Sequence, residues 1–357
     1  MEKLITFIIT FIISALLVQL TIKFCKRFSL YDETNSRKIH SGNIPRLGGV
    51  GIFISFIIGC IFYYIFSKQT PLKSLLPLFI AVFIIFSFGV LDDLINMKAI
   101  YKLIAQIVAT TIVIFAGFRF QYIFSIPLHS SFIARVISYS FTLFWVIGLI
   151  NAYNLIDGLD GLCGTLSLSV FLTMAVIYNK YNSISFILCL TISASILGFL
   201  LYNFYNAKIF MGDNGSQVLG FLVAILPLTI QTNDKLDFEF NKFLILLNLT
   251  SIPVMDIIAA IWRRLRDHKP IFSPDRSHLH HKLLNVGFTK FTALLLLIGI
   301  QSFICLIVIL SIHVDRNLAT CILCITYFII ITLFAVIHYV NRNVLKKNIT
   351  NNYGEPK

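Results

Sequence analysis

The chain has 357 residues, 57% of them hydrophobic and only 13% charged, with 34 phenylalanines and a net charge of +13. A soluble domain carries about 25% charge, so that class is excluded. The apolar runs are continuous rather than alternating, which excludes a β-barrel and leaves helices as the way to satisfy a backbone in lipid. In such a chain the excess positive charge sorts loops across the membrane, and no nucleic-acid partner is expected.

A spanning helix needs about 20 apolar residues. In chain order the runs are Leu4–Ile22, Leu47–Ser67, Ser74–Leu91, Leu103–Phe118, Val136–Asn151, Leu162–Asn179, Ser183–Tyr202, Gly215–Thr232, Phe243–Trp262, Phe291–Val314 and Asn317–Asn341. The expectation is an all-α polytopic membrane protein of eleven spans, one integral membrane domain over 1–357, with a short tail over 341–357. The first run is too long for a signal peptide and has no small-residue cleavage site. Of the 29 Lys and Arg, 20 fall on one side of this arrangement and 9 on the other. The positive-inside rule puts the richer side in the cytoplasm, the amino terminus outside and the carboxyl terminus inside. The seven cysteines are scattered; Cys321 and Cys324 have CxxC spacing within an apolar run and read as buried small residues.

Only 16 residues are acidic, so their placement is informative. Asp92 and Asp93 end the third run, where carboxylates oppose the dipole of their own helix. Asn151, Asn154, Asp157 and Asp160 recur every third residue and would form an oxygen-rich stripe on one helical turn. Asp213 lies in Gly212-Asp213-Asn214-Gly215, which reads as a tight turn or as an acid at a helix start. All five of these aspartates fall at the cytoplasmic boundary, whereas Asp256 sits inside the ninth run and has no evident role. Hard oxygen donors suit Mg²⁺, with Mn²⁺ as a substitute, and Mg²⁺ is commonly shared between carboxylates and substrate phosphates.

Basic segments accompany the acids. Arg263, Arg264 and Arg266 read first as a positive-inside stop, and Ser36–Gly49 as a basic, glycine-bearing loop that contacts anionic lipid or substrate. His278, His280 and His281 stand within four residues, just after Arg276. Diphosphate binding by this group is favoured over a metal site, because arginine grips phosphate in bidentate fashion.

Five segments occur in order: His40–Gly49, Leu91–Asp93, Asn151–Leu162, Phe210–Ser216 and Pro274–His281. In these, within 36–290, the chain resembles the polyprenyl-phosphate N-acetylhexosamine-1-phosphate transferases of the WecA/TagO type, relatives of phospho-MurNAc-pentapeptide translocase. The resemblance implies UMP release from a UDP-N-acetylhexosamine, formation of undecaprenyl-diphospho-sugar and dependence on Mg²⁺. It implies a place in the bacterial cytoplasmic membrane with the active site facing the cytoplasm. It makes Asp213 a metal ligand, with Asp93 and Asn154 beside it. Asp92 and Asp93 become the acid pair at the lipid phosphate. Asn151, Asn154, Asp157 and Asp160 form the nucleotide site, with Asp160 also catalytic. Asn203 and Phe210 hold uracil, Lys102 steadies phosphate, and Arg276, His278, His280 and His281 face the diphosphate, with His280 catalytic.

Two mechanisms stay open: direct attack of the lipid phosphate on the β-phosphorus, and a covalent phosphosugar–aspartate intermediate. GlcNAc is the default sugar of the family, with other N-acetylated sugars, 6-deoxy forms included, as alternatives. A proton-coupled anion transporter is the competing class, resting on Asp256, and a homodimer is left open.

Overall fold

The computed structural model describes residues 1–32, 43–67, 72–124, 126–180, 185–229, 236–270 and 278–353. It is helical: α1 (Glu2–Arg27), α2 (Gly48–Ser67), α3 (Leu72–Ile95), α4 (Ala99–Phe115), α5 (Phe132–Ile156), α6 (Leu162–Lys180), α7 (Ser185–Asn203), α8 (Asp213–Ile225), α9 (Leu236–Leu249), α10 (Ser251–Arg266), α11 (Leu279–Asn285), α12 (Lys290–Ser311) and α13 (Arg316–Tyr353). A two-stranded hairpin, Tyr122–Ile123 with Ile126–Pro127, joins α4 to α5 and was not foreseen from the sequence.

Burial in α1 shows what solvent the molecule is built for. Its hidden stripe is Thr6, Thr10, Ser14, Val18, Ile22 and Cys25, while Leu4, Ile8, Ile12, Leu16 and Leu20 point outward. Small and polar residues inside and large apolar residues outside is the pattern of helices packed in lipid. The Ser14 hydroxyl donates to the Ser195 carbonyl of α7 at 2.6 Å, so the small side chains also bond the helices together.

Helix α8 sits at the centre, with every residue from Asn214 to Ile225 buried against α2, α3 and α5. Close backbone approach makes this packing. A Cβ at Gly89 of α3 would stand 2.5 Å from the Asn214 Cα, and one at Gly220 would stand 2.8 Å from the Ile150 Cα.

Among the described residues, eight helices are long and apolar enough to cross a membrane. The other three runs differ from the expectation. Helix α4 has 17 residues, and α8 has 13 before giving way to a 3₁₀ turn, Leu226–Thr229, that contains Pro227. The Phe243–Trp262 run is not one straight helix: Phe240–Leu249 and Ser251–Arg266 meet at 74°. Pro253 explains the break, because it has no N–H for the Leu249 carbonyl four residues back. The Gln301 amide of α12 donates to that carbonyl instead, at 3.0 Å. Gln301→Leu therefore leaves a buried carbonyl unsatisfied and is expected to cost about 1–3 kcal/mol, read as a lowered midpoint of thermal unfolding in detergent.

The segment after 341 continues α13 as helix to Tyr353. One smaller expectation fails. Cys321 and Cys324 are exposed on α13, whereas the other five cysteines are buried. A helix that faces lipid does not need to hide a thiol.

Candidate active site

Five inter-helix connections meet around one cleft of about 320 Å³. Asp32 and Arg46 come from the α1–α2 connection, Asp93 from the end of α3, and Asn154 to Asp160 from the α5–α6 turn. Asn203, Phe210, Gly212 and Asp213 come from the α7–α8 connection, and His280, His281 and Lys290 from α11 and the start of α12. All five connections fall on the side of the arrangement that holds 20 of the 29 Lys and Arg, although the α5–α6 turn itself has none, so the charge pattern and the cleft mark one face.

The two adjacent acids of α3 do different work. Asp93 accepts from the backbone N–H groups of Asp213 at 3.1 Å and Asn214 at 3.0 Å, and from the Asn214 side-chain amide. It therefore caps the amino terminus of α8, whose first N–H groups have no partner within the helix. Gly212 precedes α8 with φ +77°, a conformation that favours glycine. An expected metal ligand is thus engaged by three donors of α8. The carboxyl end of α3 opposes this carboxylate, but the amino end of α8 favours it.

Asp92 turns the other way. It accepts from the Met97 N–H at 2.8 Å and from the Lys102 ammonium at 2.9 Å. Lys102 also reaches Asp213 at 3.0 Å, so one cation joins two carboxylates. Neither Asp92 nor Lys102 lines the cleft; they support Asp213 from behind. Asp213 is further held by the Gln217 amide at 3.0 Å. The chain of amides continues from Gln217 to Gln106 at 3.1 Å and from Gln106 to Asn151 at 2.9 Å. Arg46 closes the carboxyl end of α3 by donating to the Asp92 and Asp93 carbonyls and to the Asn96 side chain.

The expected four-residue stripe is split. Helix α5 ends at Ile156 and Asp157 is its C-cap, so the three-residue spacing does not continue as one helical face. Asn151 points into the amide chain, and Asn154 donates to the Ser216 hydroxyl at 3.1 Å. Asn154, Asp157 and Asp160 all line the cleft. Asp160 accepts from the Ala207 N–H at 3.1 Å, and Asn203 bridges the Gly161 N–H (3.0 Å) to the Ile209 carbonyl (2.8 Å). These two therefore shape the α7–α8 connection, with Asn203 buried. Phe210 lines the cleft while its backbone pairs with Pro45 and Gly48.

Asp157 is half-buried at the cleft. It forms no hydrogen bond with any described residue, and burial, then the carboxylates of Asp213, Asp93 and Asp160, push its carboxyl well above the usual range. Among the lining residues five carboxylates face two fixed cations, Arg46 and Lys290. Clustered oxygen donors with uncompensated charge fit a hard divalent ion. Asp213, Asn154 and Asp157 offer oxygens to the cleft that could hold such an ion, while the carboxylate of Asp93 is engaged by three donors of α8.

The histidines separate as well. His278 does not reach the cleft; its Nδ1 lies 2.9 Å from Asp256. His280 is buried against the α5–α6 turn, where a Cβ at Gly158 would stand 2.6 Å from its ring. Burial, then His281, pull its pKa down to about 3. It is therefore a neutral imidazole at physiological pH and not a phosphate-binding cation. Its folded pKa lies below the unfolded value of about 6.5, so the unfolded chain binds the extra proton between those values and stability rises with pH across that window. Between pH 6.5 and 5 the His280 contribution weakens the fold as pH drops, while the raised carboxyl of Asp157 acts in the opposite sense. His280→Asn should therefore shift thermal stability at pH 5, relative to pH 6.5, upward compared with the unsubstituted chain. Arg276 lies outside the described residues. Asp32 and Lys290 were missed by the sequence reading; their only signal was a place beside the basic connections.

The fold and site define a polytopic membrane protein with an acid-rich cleft at the ends of its helices. Residues 75–231 match the family model "Glycosyl transferase family 4". The chain is 35% identical over 296 residues to a protein of Bacillus subtilis named probable undecaprenyl-phosphate N-acetylglucosaminyl 1-phosphate transferase, covering 81% of this chain and 80% of that one. It is 33% identical over 286 residues to the undecaprenyl-phosphate alpha-N-acetylglucosaminyl 1-phosphate transferase of Escherichia coli K12, covering 77% and 74%. A decaprenyl-phosphate N-acetylglucosaminephosphotransferase of Mycobacterium leprae is 28% identical over 301 residues, covering 75% and 74%. The chain belongs to glycosyl transferase family 4.

Proposed function

We propose that this protein transfers N-acetylglucosamine 1-phosphate from UDP-N-acetylglucosamine to undecaprenyl phosphate, releasing UMP and leaving undecaprenyl-diphospho-N-acetylglucosamine in the membrane. The observation that carries this reading is the cleft's charge: five carboxylates against Arg46 and Lys290, with Asp157 lacking any donor among the described residues. A polyanionic substrate enters such a cleft only with a cation that offsets both partners. The names of the relatives supply the lipid acceptor and the transferred group, and the UDP carrier belongs to this proposal.

In the proposed reaction an oxygen of the lipid phosphate attacks the β-phosphorus. A new P–O bond forms, the bond from the β-phosphorus to the bridging oxygen breaks, and UMP departs with that oxygen. Asp213 and Asp157 would hold Mg²⁺, which when bound offsets the repulsion between the two phosphate groups. Arg46 and Lys290 add fixed positive charge at the cleft, and Phe210 offers an aromatic surface to the uracil. Lys102 and Gln217 fix the Asp213 carboxylate, so little reorganisation is needed as charge moves. The eleven-span count, an external amino terminus, a cytoplasmic cleft in a bacterial inner membrane and a homodimer belong to this proposal.

The transporter alternative loses its main support, because Asp256 is bound to His278 and to the Leu279 N–H rather than placed along a path. The test is release of UMP by the purified chain from UDP-N-acetylglucosamine, undecaprenyl phosphate and Mg²⁺, alongside a panel of other UDP-N-acetyl sugars. Release that requires the lipid supports the reading. Release with another sugar only would change the donor, and anion transport by vesicles without release would overturn the reaction.

A further inference from the structure

Asp256 is an acid of an apolar helix, only 2% exposed, and the transfer chemistry described above makes no use of it. Its two carboxylate oxygens are both engaged at the start of α11. One accepts the Leu279 N–H at 2.9 Å, and the other lies 2.9 Å from the His278 Nδ1. Leu279 is the first residue of α11, and no side chain of the N-cap residue, His278, accepts from that helix. Asp256 thus supplies from α10 the cap that α11 lacks in its own sequence. Two residues further on stands His280, at the Gly158 turn, with His281 next to it; both line the cleft.

We infer that Asp256 is a positioning residue for transfer: its carboxylate clamps the first turn of α11 and so sets where His280 and His281 stand against the Gly158–Asp160 turn. An inference about transfer rests on the proposed reaction, but the clamp itself is a property of the fold. The physical case is strong on both sides of the contact. A carboxylate buried in an apolar helix is costly unless its oxygens are satisfied, and these are. The bend of 74° ahead of Ser251 sets the direction in which α10 carries Asp256. The contact between His278 Nδ1 and an Asp256 carboxylate oxygen fixes the orientation of the imidazole ring. The ring of His278 lies within 10° of parallel to that of His280, with centroids 6.1 Å apart.

Two readouts keep the clamp and the reaction separable. Hydrogen exchange of the segment 278–286 needs no turnover. Asp256→Ala is expected to raise it at least tenfold, and Asp256→Asn, which keeps one acceptor for the Leu279 N–H, by less. In the transfer assay Asp256→Ala should lower kcat/KM for the UDP-sugar at least about thirtyfold, with partial rescue by Asn. The double variant Asp256→Asn/His278→Gln should be no worse than the poorer single variant, because the two residues act as a unit. Unchanged exchange in Asp256→Ala would overturn the clamp whatever the activity. Altered exchange with wild-type kcat/KM, or single-variant losses that multiply, would overturn its role in transfer. Protected exchange in a wild-type chain that transfers nothing would reject the reaction and leave the clamp standing.

Discussion

Asp213→Asn is expected to lower kcat for sugar-phosphate transfer at least about a hundredfold, with little change in thermal stability. The size follows from what the carboxylate does. It stands at the amino terminus of α8, lines the cleft, and is gripped by Lys102 and Gln217, each at 3.0 Å. Fixed charges aimed at a reacting centre contribute about 10²–10³ in kcat each when removed. Asparagine keeps the shape and can still accept from Lys102 and Gln217, so the packing of α8 survives. What is lost is the negative charge that a cation needs. The measurement is a Mg²⁺ titration of UMP release. A variant with wild-type turnover and unchanged Mg²⁺ dependence would remove Asp213 from the metal site.

Asp93→Ala is expected to fail differently. It leaves the first amides of α8, Asp213 N–H and Asn214 N–H, without their acceptor inside the molecule. An unsatisfied buried donor costs about 1–3 kcal/mol. Because α8 is buried along its length, its displacement disturbs Asp213 too. Stability and turnover should therefore fall together, with Asp93→Asn intermediate in both. The two neighbouring families of variants form a contrast: turnover alone at Asp213, fold and turnover at Asp93. Full stability in Asp93→Ala would contradict the capping role.

Much of this was legible in the sequence, for identifiable reasons. Apolar runs located the helices, and the excess of Lys and Arg grouped the five connections that build the cleft. Asp157, Asp160, Phe210 and Asp213 were all placed at the site before the structure. What was not legible is which partner each polar group takes across elements. Asp92 and Asp93 are adjacent, yet one binds Lys102 and the other caps α8, and nothing in the pair distinguishes them. The Asn151–Asp160 spacing suggested one face, but the helix ends at Ile156 and sends its members to different neighbours. His278 and His280 looked equivalent, although one is held by Asp256 and the other packs on Gly158. The break in the ninth run had a visible cause in Pro253, but the partner that satisfies the freed Leu249 carbonyl, Gln301, lies 48 residues after that proline.

The central claim is that the β-phosphorus of the nucleotide-sugar moves with the sugar. UDP-N-acetylglucosamine labelled at the β-phosphorus, incubated with the purified chain, undecaprenyl phosphate and Mg²⁺, tests it in one measurement. The account predicts label in the lipid fraction in a one-to-one ratio with unlabelled UMP. Label remaining in a released nucleotide, with the sugar alone on the lipid, would contradict it.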